Sequence, residues 1–258
     1  MTSPDSPGSV LITGATGGIG SALAEIYAAP GRTLILQGRN AAVLDALAAT
    51  CTGRGARVIT RVLDVRDREA LTAWLHEVCA QQSVDLLIVN AGVNTSIGAD
   101  GAGEPWPEVE AVVMVNVLAA MATVHAVLPS MRARGAGQIA LISSLAGYVG
   151  LPLVPSYSAS KAALKAYGDA LRGCLAPEGI RINVVLPGYV ESAMSRAMPG
   201  PKPFLWPADR AARAIRRGLA ANRAHISFPF PLNLGTWWLS VLPPAVAQWL
   251  LRRMGYGG

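Results

Sequence analysis

The sequence predicts an α/β protein: a Rossmann-like, doubly wound parallel sheet of about seven strands in a single domain. Three observations carry that reading. Short apolar runs alternate with longer helical patterns, a glycine cluster follows the first run, and no linker divides the 258 residues. Residues 10–13, 33–37, 57–62, 85–90, 138–143, 180–186 and 224–228 read as strands. Most are continuously apolar, as suits parallel strands covered on both faces. Residues 18–28, 41–50, 67–82, 107–132, 156–176 and 208–221 read as helices between and after them. Ligands of such sheets bind beyond the C-terminal strand ends, where strand order reverses. Residues just after strands are therefore the first candidates for function.

Composition narrows the classes. Apolar residues make up 52% and charged ones 15%, which excludes a largely disordered chain; only residues 1–8, rich in Ser, Pro and Gly, predict a flexible N-terminus. The net charge is +6, but lysines and arginines are scattered and no basic stretch is interleaved with stacking aromatics, so nucleic acid is not the expected partner. Cys51, Cys79 and Cys174 form no metal-ligand spacing and read as buried thiols of a reducing compartment, the cytoplasm.

The first strand runs into Thr13-Gly14-Ala15-Thr16-Gly17-Gly18-Ile19-Gly20 and then a helix. Glycines there let backbone amides approach a pyrophosphate, and the helix N-terminus faces its charge. The motif lacks the Lys-Ser/Thr of a P-loop, which disfavours triphosphate hydrolysis. After the second strand comes Arg39, where NAD-binding sheets carry an acid for the ribose hydroxyls. A guanidinium there can hold a 2′-phosphate, so NADP(H) is expected over NAD(H). Asp64, with Val65 behind it, follows the third strand and can accept from an adenine amino group or cap a helix. Asn90-Ala91-Gly92 closes the fourth strand with small residues where a ribose can pass.

The fifth strand leads to Ser144, and Tyr157 and Lys161 follow, four residues apart on one helical face. A phenol titrates near 10, too high for acid/base work at neutral pH; a lysine ammonium beside it is expected to lower that value. A serine hydroxyl at a strand end can stabilise charge on a substrate oxygen.

Taken together, TGATGGIG, LDV at 63–65, NAG at 90–92, VNV around Asn116, ISS at 142–144, YSASK at 157–161 and PGYVES at 187–192 resemble the short-chain dehydrogenases/reductases, in their single-domain branch. The resemblance runs from about Val10 to Phe228. It implies a catalytic tetrad of Asn116, Ser144, Tyr157 and Lys161, with Tyr157 exchanging the substrate proton. Lys161 would also bind the nicotinamide ribose, and Asn116 would position a water linking Lys161 to solvent. It further implies that Pro187-Gly188 turns the chain toward the nicotinamide, and that the Val190 backbone and Ser192 hold the carboxamide. Ser192 stands where the family more often has threonine. Homodimers or homotetramers are implied as well. The expected activity is reduction of a ketone or aldehyde to an alcohol, or the reverse. A non-catalytic dinucleotide sensor would have lost the tetrad, and epimerases or dehydratases of this kind generally need a longer substrate domain.

Residues 193–206, with Met194, Met198, Phe204 and Trp206, predict an apolar lid and hence an apolar substrate. The extension 229–258 is less ordinary. No charge falls between Ile226 and Leu251, but Pro229, Pro231, Pro243 and Pro244 interrupt the run. Three readings stand: core or subunit interface, broken pieces on a membrane surface, or a true span.

Overall fold

The computed structural model describes residues 7–98, 101–198 and 200–256. Seven strands form one parallel sheet: β1 (Ser9–Ile12), β2 (Thr33–Gly38), β3 (Arg57–Val62), β4 (Leu86–Val89), β5 (Gly137–Ile142), β6 (Ile180–Pro187) and β7 (His225–Phe228). Their order is β3-β2-β1-β4-β5-β6-β7, so the chain reverses direction across the sheet between β1 and β4. The inner strands are mostly apolar because both faces are covered. Val10, Ile12, Leu34, Leu36, Leu86 and Ile88 pack under α1 (Gly18–Tyr27), α2 (Ala41–Gly53) and, further along the chain, the helix Ala208–Ala220. The intervening Leu11, Ile35, Leu87 and Val89 point the other way, as the two-residue period of a strand requires. There they meet α3 (Arg68–Gln81) and the helices of the chain's middle third. The exposed edge strand β3 carries Arg57 and Arg61, charges that discourage pairing with another sheet.

The helix expected over 107–132 forms in three pieces. α4 (Trp106–Val113) passes through a π-helical segment, Met114–Ala119, into α5 (Ala120–Arg134). The π-helical segment carries Asn116, and such wide turns favour functional sites. α6 (Pro155–Leu175) brings Tyr157 and Lys161 to the C-terminal end of β5. The short α7 (Ala193–Ala197) lies in the loop after β6, and α8 (Ala208–Ala220) leads to β7.

Beyond β7 the extension folds into α9 (Leu232–Val241) and α10 (Pro244–Leu251), ending in a π turn at Arg252–Tyr256. Leu242 and Pro243 separate the two helices. At ~1.5 Å per residue, neither helix approaches the ~30 Å of a bilayer core, which removes the true-span reading. Leu239, Ala247, Leu251 and Tyr256 pack instead on Val149, Leu151, Leu153 and Tyr189. The extension is a cap over the C-terminal ends of the strands.

Two further expectations change. Cys51 is buried, but Cys79 is half-buried and Cys174 exposed. Of the N-terminal tail, residues 1–6 lie outside the described residues, and Gly8 donates its N–H to the Asp85 carboxylate at 2.9 Å.

Candidate active site

The strand ends, the cap and the loop carrying α7 enclose a cavity of about 930 Å³. Its walls join the glycine turn, through Gly18 and Ile19, to Ser144, Tyr157 and Lys161. Asn90, Gly92, Pro187, Gly188, Val190 and Ser192 complete the wall near β4 and β6. The sheet thus brings the predicted turn and the predicted proton-transfer residues to one cavity.

The turn is held by side chains, two of them, Thr13 and Gln37, buried. Gln37, at the end of β2, accepts from the Gly14 amide at 2.9 Å and donates to the Leu63 carbonyl at 2.6 Å. Asn90 Nδ2 donates to the carbonyls of Thr13 and Gly14, and Thr13 Oγ1 receives the amides of Asn90 and Ala91. Two glycines are sterically required. Gly14 has φ +64°, and a Cβ on it would stand 2.7 Å from the Ala91 Cα. A Cβ on Gly20 would run into the Gly14 carbonyl and lie 2.7 Å from Asn90 Nδ2. Thr16 packs on Gly38, beneath the end of β2. The turn leads directly into the N-terminus of α1.

At the far end of this groove, Arg39 is 61% exposed, with Nη1 4.0 Å from Asp64. Asp64 is gripped more closely by Arg66, at 2.6 Å from Nη2 and 3.0 Å from Nε. That grip holds its carboxyl below the ordinary range. The cap of α3 is Asp67, not Asp64. Val65 is buried behind the acid. Arg66 is a residue that motif reading missed.

Tyr157 and Lys161 are both buried on α6. Lys161 Nζ stands 5.6 Å from the Tyr157 ring centre and donates to the Ile142 carbonyl at 2.9 Å. Burial lowers the Lys161 pKa to about 8. The Tyr157 hydroxyl does not titrate as the sequence suggested. Burial raises its pKa, and a hydrogen bond from Ser144 pulls it part of the way back. The reason is placement: Nζ serves the Ile142 carbonyl rather than the phenol oxygen. Ser144 Oγ also accepts from the Ala146 amide at 3.1 Å.

Asn116 is completely buried, and its amide is fully engaged. Oδ1 accepts from Val93 N at 2.9 Å, while Nδ2 donates to Val93 O at 2.9 Å and Ser160 Oγ at 3.0 Å. It pins the loop after β4 to the Tyr157 helix. Glu104 does the same from outside, accepting from the Ser156 amide at 3.1 Å at the N-terminus of α6. Glu104 stands in no motif and Ser160 is a spacer position of YSASK; the role of each becomes visible only through a partner distant in sequence.

Around β6, Gly188 N donates to Phe228 O at 2.7 Å and Val190 bridges to Trp206. Ser192 caps α7, accepting from the Ser195 amide at 3.0 Å, so its hydroxyl already has a partner. Met194, Met198 and Phe204 line the cavity as a lid would. Trp206 does not; it stacks on Phe228 with ring centres 5.1 Å apart and anchors the loop.

The site thus pairs a glycine turn with a serine, a tyrosine and a lysine at one cavity. The short chain dehydrogenase family profile matches residues 9–201. The chain belongs to this family. An oxidoreductase from Myxococcus xanthus is 34% identical over 245 residues, covering 95% of this chain and 96% of that protein. A very-long-chain 3-oxoacyl-CoA reductase from Phaeosphaeria nodorum is 32% identical, covering 89% of this chain and 70% of its own. A short-chain dehydrogenase from Sphingobium yanoikuyae, solved in complex with NADPH, superposes with a TM-score of 0.79 at 28% identity, over 95% of each chain. The protein is an oxidoreductase of a family that uses NAD(P) and acts on alcohol and carbonyl groups.

Proposed function

We propose that the chain is an NADPH-dependent carbonyl reductase for an apolar ketone or aldehyde, working through Tyr157. One observation carries this: a cavity of about 930 Å³ whose described lining holds Lys161 as its single charged side chain, beside the hydroxyls of Tyr157 and Ser144. Everything beyond those hydroxyls is largely apolar, with Leu232, Trp238, Leu239, Leu250 and Met254 contributed by the cap. A sugar or a carboxylate would lose its hydration there without recovering partners.

The bound dinucleotide supplies the hydride. The residues of the chain do the rest. Gly14, Gly18, Gly20 and the α1 N-terminus would hold the pyrophosphate, and Asn90, Ala91 and Gly92 would flank the ribose. Tyr157, kept as a neutral phenol by burial, donates its proton to the carbonyl oxygen. Ser144 hydrogen-bonds the same oxygen as charge develops on it. Lys161 would fix the ribose through its ammonium, while Asn116 holds the loop and helix that frame both. NADPH is favoured by Arg39, and Arg66 supports it by neutralising Asp64, which would otherwise repel a 2′-phosphate. The NADPH held by the Sphingobium relative accords with this. The long-chain substrate of the Phaeosphaeria relative accords with an apolar cavity.

The test is NADPH oxidation against a panel of aliphatic, aromatic and sugar ketones, for the wild type and Tyr157→Phe. Apolar ketones should turn over, and the variant should lose roughly 10²–10⁴-fold in kcat, the range of a positioned proton donor. Equal turnover by the variant would remove Tyr157 from the chemistry.

A further inference from the structure

We propose that the outer face of the C-terminal cap docks on an anionic lipid bilayer, with the mouth of the cavity facing the lipid. The cap is amphipathic in an unusual sense, because the side it turns to solvent is as apolar as the side it buries. On α9, Leu234, Trp237, Trp238 and Val241 recur at the spacing of one helical face and are 52%, 48%, 56% and 62% exposed. The opposite face buries Leu239. On α10, Val246 and Trp249 are 43% and 50% exposed, while Ala247 and Leu251 face inward. Phe230, just before α9, is 75% exposed.

Charge selects the occupant. Asp209 is the last acidic residue of the sequence, and seven arginines follow it. Two of them, Arg252 and Arg253, are exposed directly after α10, and the Arg253 guanidinium lies 4.8 Å over the Trp249 ring. Tryptophans beside arginines match a headgroup layer, where the indoles sit at the boundary and each cation meets lipid phosphate. Self-association of this face would crowd arginine pairs together with no acidic residue in the segment to receive them. The helices, too short to span, suit a surface position.

The face is also continuous with the cavity. Leu234, Trp238, Phe204 and Met254 are each exposed on the outside and each line the interior. A bilayer against this face would therefore deliver lipid-dissolved carbonyl compounds to the mouth without a passage through water; that last step rests on the carbonyl reductase reading.

Sedimentation with vesicles of phosphatidylcholine alone, or with phosphatidylglycerol added, tests the docking. The wild type should sediment with the anionic vesicles, with its tryptophan emission shifted to the blue. Trp237→Ala/Trp249→Ala and Arg252→Glu/Arg253→Glu should each bind about tenfold or more weakly. None of these four side chains lines the cavity, so both variants should keep wild-type reduction of a water-soluble ketone. Three results would overturn the proposal: no sedimentation of the wild type with anionic vesicles, undiminished binding by both variants, or a dimer in analytical ultracentrifugation that Trp237→Ala/Trp249→Ala splits into monomers. Vesicle binding by a wild type inactive on every ketone would uphold the docking and sink the reductase reading alone.

Discussion

The nucleotide turn and the C-terminal cap border one cavity but are built on opposite principles. The turn is tied by hydrogen bonds between distant segments: Gln37 to Gly14 and Leu63, Asn90 to Thr13 and Gly14, Thr13 to Asn90 and Ala91. These bonds are directional, so the turn tolerates little displacement. The cap rests mainly on apolar contacts through Leu239, Ala247 and Leu251, with peripheral bonds such as Tyr256 to Pro201. Apolar contacts are non-directional and allow small slides. The difference separates two jobs. The cofactor end must present a fixed geometry to the reacting atoms, and the substrate end must only exclude water and fit a shape.

The comparison breaks most sharply at Gly20. Gly20→Val would drive a side chain into the Gly14 carbonyl and Asn90. Overpacking of this kind costs about 1–3 kcal/mol, and the displaced turn can no longer cradle a pyrophosphate. Dinucleotide affinity should fall at least about 100-fold, a loss of roughly 3 kcal/mol, read by fluorescence titration. Affinity within threefold of wild type would mean that the turn is as pliable as the cap.

Arg39→Ala should come next in size. Losing a charge-assisted bond to phosphate costs about 1.5–3 kcal/mol, so NADPH affinity should fall roughly ten- to a hundredfold while NADH affinity holds. Unchanged NADPH affinity would sink the assignment of Arg39.

The pH profile is smaller and carries a sign. Lys161 keeps its proton only below about 8, and the raised pKa of Tyr157 keeps the phenol protonated through neutral pH. Reduction needs both protons, so kcat/KM should be level below about pH 8 and decline above it. Alcohol oxidation needs the phenolate and should rise with pH. Linkage follows the same direction: the unfolded chain holds the Lys161 proton up to 10.5, so stability from this group rises between about 8 and 10.5. A reduction profile level through pH 9.5 would detach Lys161 from turnover.

These two regions also differ in how far the sequence disclosed them. β1 and β4 were legible because strands covered on both faces are nearly continuous apolar runs, and the placement of Tyr157 at the cavity beside Ser144 and Lys161 was legible from their spacing. What stayed hidden depended on contacts between remote positions. Gln37 reads as an ordinary strand polar residue until its bonds to Gly14 and Leu63 are seen. The titration of Tyr157 is hidden for the same reason, since spacing puts Lys161 on the correct face but does not reveal that its Nζ donates to the Ile142 carbonyl. In the cap, the prolines marked the break. Its direction stayed open because a helix apolar on all sides has no face for periodicity to find.

The smallest effect is expected in the cap itself. Gly235 lies inside α9, and a Cβ there would meet nothing within 4 Å. Gly235→Ala should therefore stabilise the protein by about 0.4–1 kcal/mol, by narrowing the unfolded ensemble and favouring helix. Thermal unfolding should report a rise of about 1–4 °C, with dinucleotide affinity unchanged. The outcome sharpens the contrast with Gly20, where the same added atom has no space. If Gly235→Ala lowered both the unfolding temperature and turnover of a small ketone, α9 would need its glycine for motion, and the cap would belong with the turn among the elements whose geometry the reaction depends on.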